Sequence, residues 1–143
     1  MEFKLRSEDM SLTVDTMGAQ MKHLQSADGT EYLWQGDPAY WDGQAPNLFP
    51  FIGRLYGGEC TSEGEVYPLG IHGFAAAQEF KPVLVESDRI VLELKSNVAT
   101  YRQYPVHFIY RISYELFDNT LIISNRSRFS ARLEIIRVLS KSS

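Results

Sequence analysis

The chain has 143 residues, a length that fits one domain, and 44% of them are hydrophobic while 22% are charged. This balance is close to the average for globular proteins, so we expect a folded core rather than disorder. The formal net charge of −4 argues against a nucleic-acid partner held by a basic face. Aromatic residues make up 13%, which favours either a β-rich core or a stacking surface for a ring-shaped ligand.

The expected elements are short strands separated by turn signals. Alternating or β-branched stretches predict strands at 11–14, 19–24, 30–34, 48–52, 65–69, 80–85, 89–95, 106–117 and 119–124. Turns are expected at Asp28-Gly29, Gly57-Gly58 and Asp118-Asn119. No window of a dozen residues carries the 3.6-residue period of a helix. The sequence therefore predicts an all-β, antiparallel sandwich or barrel, in a single domain over residues 1–143.

Three features bear on where the protein works. The opening MEFKLRSEDM has no apolar core of signal-peptide length, and no apolar run approaches the ~20 residues of a membrane helix. The single cysteine, Cys60, cannot form an internal disulfide, which agrees with a reducing compartment. We therefore expect a cytoplasmic protein with no membrane partner.

The densest mixture of aromatic and charged side chains lies in FPFIGRLYGGECTSEGEVYPLGIHGFA, residues 49–75. Arg54 follows an apolar stretch, where its guanidinium can donate several hydrogen bonds to hydroxyl groups, although a surface salt bridge is the alternative. His72 stands between two nearby glycines that allow close approach of a ligand. Its imidazole suits proton transfer or hydroxyl recognition near neutral pH; the alternative is a histidine that only satisfies loop backbone groups.

The other reactive residue types form no recognised pattern. His23 and His107 lie in strand-like segments and are interpreted as structural, and three scattered histidines with one cysteine lack metal-ligand spacing. We find no phosphate-binding loop, dinucleotide fingerprint or serine-nucleophile motif, so no metal and no cofactor are predicted. Four aromatic residues can either line a pocket or join the core: Trp41, Tyr56, Tyr67 and Phe74.

Six motifs occur in order: G-A at 18–19, E-Y-L-W at 31–34, G-D-P-A-Y-W at 36–41, N-L-F-P-F-I-G-R at 47–54, Y-P-L-G-I-H-G-F at 67–74 and Y-P-V-H-F at 104–108. Together they resemble the aldose 1-epimerases (galactose mutarotases), especially the bacterial LacX-like branch, over about residues 1–125. The resemblance implies a β-sandwich of the galactose mutarotase type that binds a monosaccharide in a cleft. It also implies a cofactor-free reaction that interconverts the α and β anomers of an aldose.

The resemblance also assigns site residues. In this family the arginine of F-P-x-x-G-R and the histidine of H-G-F line the sugar site; these are Arg54 and His72 here. His72 is therefore the catalytic candidate, both residues are substrate-binding candidates, and Asn47 is a further polar contact. Ring opening needs one group that takes the anomeric hydroxyl proton and another that protonates the ring oxygen.

The chain departs from the family pattern near its end. Family members are much longer, and they use a second histidine, in an H-P-x-F motif, as acid and a late glutamate as base. After Asn125 there is no histidine, and Glu134 matches no family glutamate. The resemblance therefore implies half a sugar site with impaired turnover, since each such group typically contributes ~10²–10⁴-fold.

The tail, residues 126–143, is atypical and holds five of the fourteen basic residues. One hypothesis is a truncated or frameshifted product; the other is a short family member that pairs its open strand edges with another copy, giving a homo-oligomer. Three alternatives to an epimerase of free aldoses stay open. They are a non-catalytic carbohydrate-binding module on the same scaffold, an epimerase of phosphorylated hexose for which only Arg54 is plausibly placed, and a general interaction domain.

Overall fold

The computed structural model describes residues 1–129, and nearly all of its regular structure is β. The strands are β1 (Glu2–Arg6), β2 (Met10–Asp15), β3 (Gln20–Ser26), β4 (Glu59–Ser62), β5 (Glu65–Pro68), β6 (Lys81–Val85), β7 (Arg89–Lys95), β8 (Phe108–Phe117) and β9 (Thr120–Phe129). One short helix, α1, spans Val98–Tyr101, and two 3₁₀ turns span Tyr56–Gly58 and Ala75–Ala77. Over this described range, no helix has the length and apolarity that a membrane span requires.

The strands form three antiparallel sheets. β1, β2 and β3 make a three-stranded sheet, β4 and β5 make a hairpin, and β6 to β9 make a four-stranded sheet in sequence order. Neighbouring strands are joined by tight turns, such as the one at Asp118, whose φ of 49° lies in the left-handed region. The predicted all-β, antiparallel fold is confirmed.

One hydrophobic cluster joins the three-stranded and four-stranded sheets. Alternate residues of β8 point inward, so Tyr110, Ile112 and Tyr114 are buried while Arg111 between them is exposed. Leu12 of β2 belongs to the same cluster. Full burial of one such side chain stabilises the fold by ~1.5–3 kcal/mol. Because every second residue of these strands points inward, the buried side chains of the two sheets pack against each other and hold the sheets together.

Most of the predicted strands are confirmed, with shifts of a few residues at their ends. The prediction for 89–95 coincides with β7, and six others overlap β2, β3, β5, β6, β8 and β9. β9 continues to Phe129, so the first four residues of the atypical tail extend the sheet. The rest of that tail, 130–143, lies outside the described residues.

Two predicted strands, 30–34 and 48–52, are wrong, because each contains only an isolated bridge. In the first, the carboxylate of Glu31 accepts hydrogen bonds from the backbone N–H groups of Leu24 and Leu33, at 2.9 and 3.0 Å. A side chain therefore takes the place of part of the strand ladder. The predicted turn at Asp28-Gly29 is present, since the Ser26 N–H bonds to the Thr30 carbonyl at 3.1 Å.

A buried carboxylate is paired on the outer side of the four-stranded sheet. Glu93 of β7 is 7% exposed and lies directly opposite Arg111 of β8. The Nε of Arg111 donates to Glu93 at 2.6 Å, and Nζ of Lys95 lies 3.3 Å from its other oxygen. Burial alone would raise the pKa of Glu93, but the hydrogen bonds and charges of Arg111 and Lys95 outweigh it and hold the pKa below its ordinary value.

We expect this pairing to be lost at acid pH. Because the folded-state pKa of Glu93 lies below the ordinary value of 4.5, its carboxylate stabilises the fold above that pH. The contribution disappears as the pH falls through the folded-state pKa. Urea unfolding followed from neutral to acid pH should show a flatter stability profile for Glu93→Gln than for the unchanged chain. The exposed Glu65→Gln is the control, and a Glu93→Gln profile parallel to that of the unchanged chain would contradict the prediction.

Candidate functional site

The segments that carry Arg54 and His72 are hydrogen-bonded to each other. The N–H of Phe49 donates to the His72 carbonyl at 3.2 Å, and the N–H of Phe74 donates to the Phe49 carbonyl at 2.9 Å. The N–H of His72 donates to the carbonyl of Gly53 at 3.3 Å, directly before Arg54. The structure thus joins the two loops that the sequence singles out.

The side chain of His72 takes part in the same junction. Its Nδ1 contacts the carbonyl oxygen of Ile52. A carbonyl only accepts hydrogen bonds, so Nδ1 carries the proton, and a neutral imidazole then presents Nε2 as an acceptor. Because His72 is exposed, this second nitrogen is available to a ligand.

The backbone at this junction is tightly constrained. His72 has a φ of 69° and Gly73 a φ of 73°, both in the left-handed region. A Cβ built on Gly73 would lie 2.1 Å from the carbonyl oxygen of Phe49 and 2.6 Å from Cδ of Pro50. Only glycine therefore allows the two loops to approach this closely.

Aromatic packing fixes the junction onto the four-stranded sheet. The ring of Phe49 stacks on Tyr110 with centroids 4.3 Å apart, and Phe74 stacks on Phe108 at 5.9 Å. Both phenylalanines are buried, so Phe74 belongs to the core rather than to a pocket wall. The loops that carry the polar candidates are therefore attached to a rigid surface.

Arg54 lies at the exposed end of this junction. Its side chain forms no ion pair with any carboxylate in residues 1–129, so the salt-bridge alternative has no support there. Ile52, Tyr56 and Ile71, which belong to the same two loops, are exposed large apolar side chains. A guanidinium that pairs with no described carboxylate, on loops that also expose apolar side chains, is suited to holding the hydroxyl groups of a polar, ring-shaped ligand.

Asn47 has a structural task. Its amide nitrogen lies 2.9 Å from the Gly18 carbonyl, 2.8 Å from the Ala19 carbonyl and 3.1 Å from the Tyr114 hydroxyl. The hydroxyl of Tyr114 donates in turn to the Ala19 carbonyl at 2.8 Å. Burial raises the pKa of Tyr114 to about 12, while the hydrogen bond from Asn47 opposes that rise. This network joins the β2–β3 turn to β8, and the role of Asn47 as a sugar contact stays a prediction.

The remaining reactive residues lie in separate places. His23 pairs with Glu31 at 2.9 Å, and Nδ1 of His107 lies 3.3 Å from the Ser96 hydroxyl. Cys60 is buried, and that burial raises the pKa of its thiol. Within residues 1–129, no three histidine, cysteine or carboxylate side chains gather closely enough to hold a metal ion.

An exposed aromatic group outside the junction was not singled out as a unit from the sequence. The indole Nε1 of Trp34 donates to the Trp41 carbonyl at 2.8 Å, and the rings of Trp34 and Tyr40 meet edge to face at 6.2 Å. All three side chains are exposed. Their grouping depends on a turn at Asp37, whose carbonyl accepts the N–H groups of Tyr40 and Trp41. In the sequence the parts of this group are visible only separately, in the motifs E-Y-L-W at 31–34 and G-D-P-A-Y-W at 36–41 and in Trp41 as a candidate pocket residue.

The antiparallel sheets, with polar loops bonded together over one of them, define a galactose mutarotase-like protein. A galactose mutarotase related enzyme from Lactobacillus acidophilus superposes with a TM-score of 0.83 at 33% identity, over 89% of this chain and 44% of its own. A galactose mutarotase-like protein from Lactobacillus casei ATCC 334 gives a TM-score of 0.84 at 25% identity, over 87% and 43% of the two chains.

The chain belongs to the aldose 1-epimerase family, whose sequence model matches residues 1–133. The plasmid-encoded protein LacX of Lactococcus lactis subsp. lactis is 34% identical over 121 residues, and so is its chromosomal counterpart. Each alignment covers 81% of this chain and 40% of the relative. The chain thus spans less than half the length of the relatives that it matches, and its motif-based family prediction is confirmed.

Proposed function

We propose that this chain carries part of the sugar site of an aldose 1-epimerase, with Arg54 and His72 facing a monosaccharide. The observation that supports this most is the hydrogen-bonded junction between their two loops, in which His72 bonds to the residue before Arg54. A guanidinium and an imidazole on two loops that are bonded together suit the hydroxyl groups of one sugar ring. Membership of the aldose 1-epimerase family agrees with such a ligand.

The proposed chemistry follows from the proton positions. With Nδ1–H engaged by Ile52, the free Nε2 of His72 can take a proton from a sugar hydroxyl or, once protonated, return one to the ring oxygen. Arg54 holds neighbouring hydroxyls with the N–H donors of its guanidinium group. One imidazole serves one of the two proton transfers, so we infer that catalysis by this chain alone is impaired by ~10²–10⁴-fold.

The second candidate function is a non-catalytic carbohydrate-binding module on the same scaffold. It needs ligand contacts but no proton transfer, so Arg54 and His72 need only donate and accept hydrogen bonds. The exposed rings of Trp34, Tyr40 and Trp41 also suit stacking against a sugar face. Both functions share the Arg54 and His72 site and differ only in turnover.

Two measurements test this proposal. NMR titration with glucose and galactose should show binding that His72→Ala and Arg54→Ala each weaken by about tenfold or more. His107→Ala removes a histidine elsewhere in the fold and should leave the affinity unchanged. Polarimetry on fresh α-anomers then separates the two functions, since only an epimerase shortens the relaxation. Unchanged affinity in both site variants would mean that the pocket is assigned wrongly.

Self-association is the second part of the proposal. Among residues 1–129, β6 and β9 are the outer strands of the four-stranded sheet, and exposed Val85 and Ile122 lie on them. Open strand edges with apolar side chains favour pairing with another copy. Sedimentation should therefore detect a dimer, and a monomer at high concentration would count against it.

We also infer one domain over residues 1–143. We infer a cytoplasmic location from Cys60, a lone thiol that agrees with a reducing compartment.

A further inference from the structure

Three arginine side chains lie together on the outer face of the four-stranded sheet. In the β8–β9 register, Arg111 is directly opposite Arg126, and Ile109 is opposite Arg128. Paired residues of antiparallel strands share a face, and so do residues two apart on one strand. The three guanidinium groups therefore project from the side opposite to the buried Tyr110.

These side chains enclose a cleft rather than a flat patch. Arg111, Arg126 and Arg128 line a cavity of about 340 Å³ together with Ile109 and Ser127. That volume falls in the range of small-molecule sites, with room for a phosphate ion or for a phosphate group and the small molecule that carries it. Neither Arg54 nor His72 lines this cavity, so it is separate from the proposed sugar site.

The charges around the cleft are unbalanced. Glu93 is shared by Arg111 and Lys95, while no carboxylate in residues 1–129 forms an ion pair with Arg126 or Arg128. Four cationic side chains thus face a single described acid, on a chain whose net charge is −4. Like charges directly across a strand pair destabilise a sheet, and an anion between Arg111 and Arg126 would relieve that repulsion.

We propose that this cleft binds a small oxyanion, namely a phosphate ion or the phosphate group of a small organic molecule. Guanidinium groups donate paired hydrogen bonds that match phosphate oxygens, and no carboxylate among residues 1–129 occupies the donors of Arg126 or Arg128. Arg111 keeps its contact with Glu93 and contributes its charge. The small volume and the negative net charge disfavour a nucleic acid, which needs an extended basic surface.

The test is an NMR titration of the full chain with sodium phosphate, at constant ionic strength maintained with chloride. The backbone amides of Ile109, Arg111 and residues 126–128 should shift and saturate. Arg126→Gln and Arg128→Gln should each weaken binding by about tenfold or more, since each removes a charged donor. Arg6→Gln, an exposed arginine on β1, is the matched control and should bind phosphate as the unchanged chain does.

Two further ligands decide which chemistry is recognised. Glucose 6-phosphate that shifts the same amides supports a phosphate group as the recognised feature, whereas glucose that shifts them equally overturns the proposal. Phosphate shifts that chloride alone reproduces, or that persist in the Arg126→Gln and Arg128→Gln double variant, also overturn it. Because glucose binding at Arg54 and His72 is read from other amides, failure of the sugar site and failure of the anion cleft give different spectra.

Discussion

Replacing Gly73 with alanine is expected to lower the free energy of unfolding by about 3 kcal/mol or more. Two costs combine. The φ of 73° is unfavourable for any residue with a Cβ, and the new methyl group would lie 2.1 Å from the carbonyl oxygen of Phe49. Relieving that clash means separating the loops, which breaks the 2.9 Å hydrogen bond from the Phe74 N–H to Phe49. Denaturant unfolding measures the loss.

Gly58→Ala is the matched control, because its φ of 72° is nearly the same but no atom lies within 4 Å of the added Cβ. It should cost only the conformational term of ~1–2 kcal/mol. The difference between the two losses of unfolding free energy measures the contribution of the close approach of the loops at Gly73. Sugar affinity should fall in Gly73→Ala and persist in Gly58→Ala if the junction positions Arg54 and His72. Equal losses of stability would contradict the role given to the junction.

Seven of the nine described strands are predictable because their cause is local, whereas β1 and β4 fall outside the predicted segments. In β7, apolar residues at Ile90, Leu92 and Leu94 mark the buried face, and the predicted bounds coincide with the observed strand. In β8, the same two-residue period separates buried Tyr110 from exposed Arg111. A side-chain period of two is visible in any single strand, so no knowledge of its partner is needed.

The two wrong strand predictions fail because other contacts take the backbone hydrogen bonds that a strand ladder would use. The stretch around Phe49 is apolar enough for a strand, but its backbone groups bond to His72 and Phe74, more than twenty residues away in a loop without periodicity. Near residue 31, the Glu31 carboxylate occupies backbone donors that a strand would otherwise use. Neither competition leaves a pattern in the sequence around it.

The candidate site was predictable to a different degree for each residue. The family motifs singled out Arg54 and His72 together, and their loops are in contact. For Asn47 the motif identified the residue but not its hydrogen-bond partners, since Gly18 and Tyr114 lie 29 and 67 positions away in the sequence. The alternation of β8 does point Tyr114 inward, which was the one local sign that a polar partner would be needed there.

Replacing Asn47 with aspartate is expected to lower the free energy of unfolding by about 3 kcal/mol at neutral pH. The amide nitrogen of Asn47 donates to the carbonyl oxygens of Gly18 and Ala19, which only accept hydrogen bonds. A carboxylate has nearly the same shape but no donor, and it would face these oxygens with a negative charge. The buried Tyr114 hydroxyl, which lies 3.1 Å from the same nitrogen, would also face a carboxylate oxygen in place of the amide NH2 group.

The pH dependence of the stability of Asn47→Asp provides a sharper test than the size of the stability loss at neutral pH. In the folded state the neutral carboxylic acid can donate to a carbonyl, so the pKa of the introduced group is raised above the ordinary aspartate value of ~3.9. The stability deficit relative to the unchanged chain should therefore be full above that raised pKa and shrink as the pH falls through it.

Asn125→Asp is the matched control, because there the side-chain oxygen is the atom in use, accepting from the Tyr110 hydroxyl at 3.1 Å. A carboxylate keeps that contact, so the change should stay within ~1 kcal/mol. If instead Asn47→Asp left stability intact and weakened sugar binding, Asn47 would be a ligand contact as the family motif implies, and the network with Gly18 and Tyr114 would be dispensable. Loss of stability that recovers in acid would show that this amide acts as a donor inside the fold.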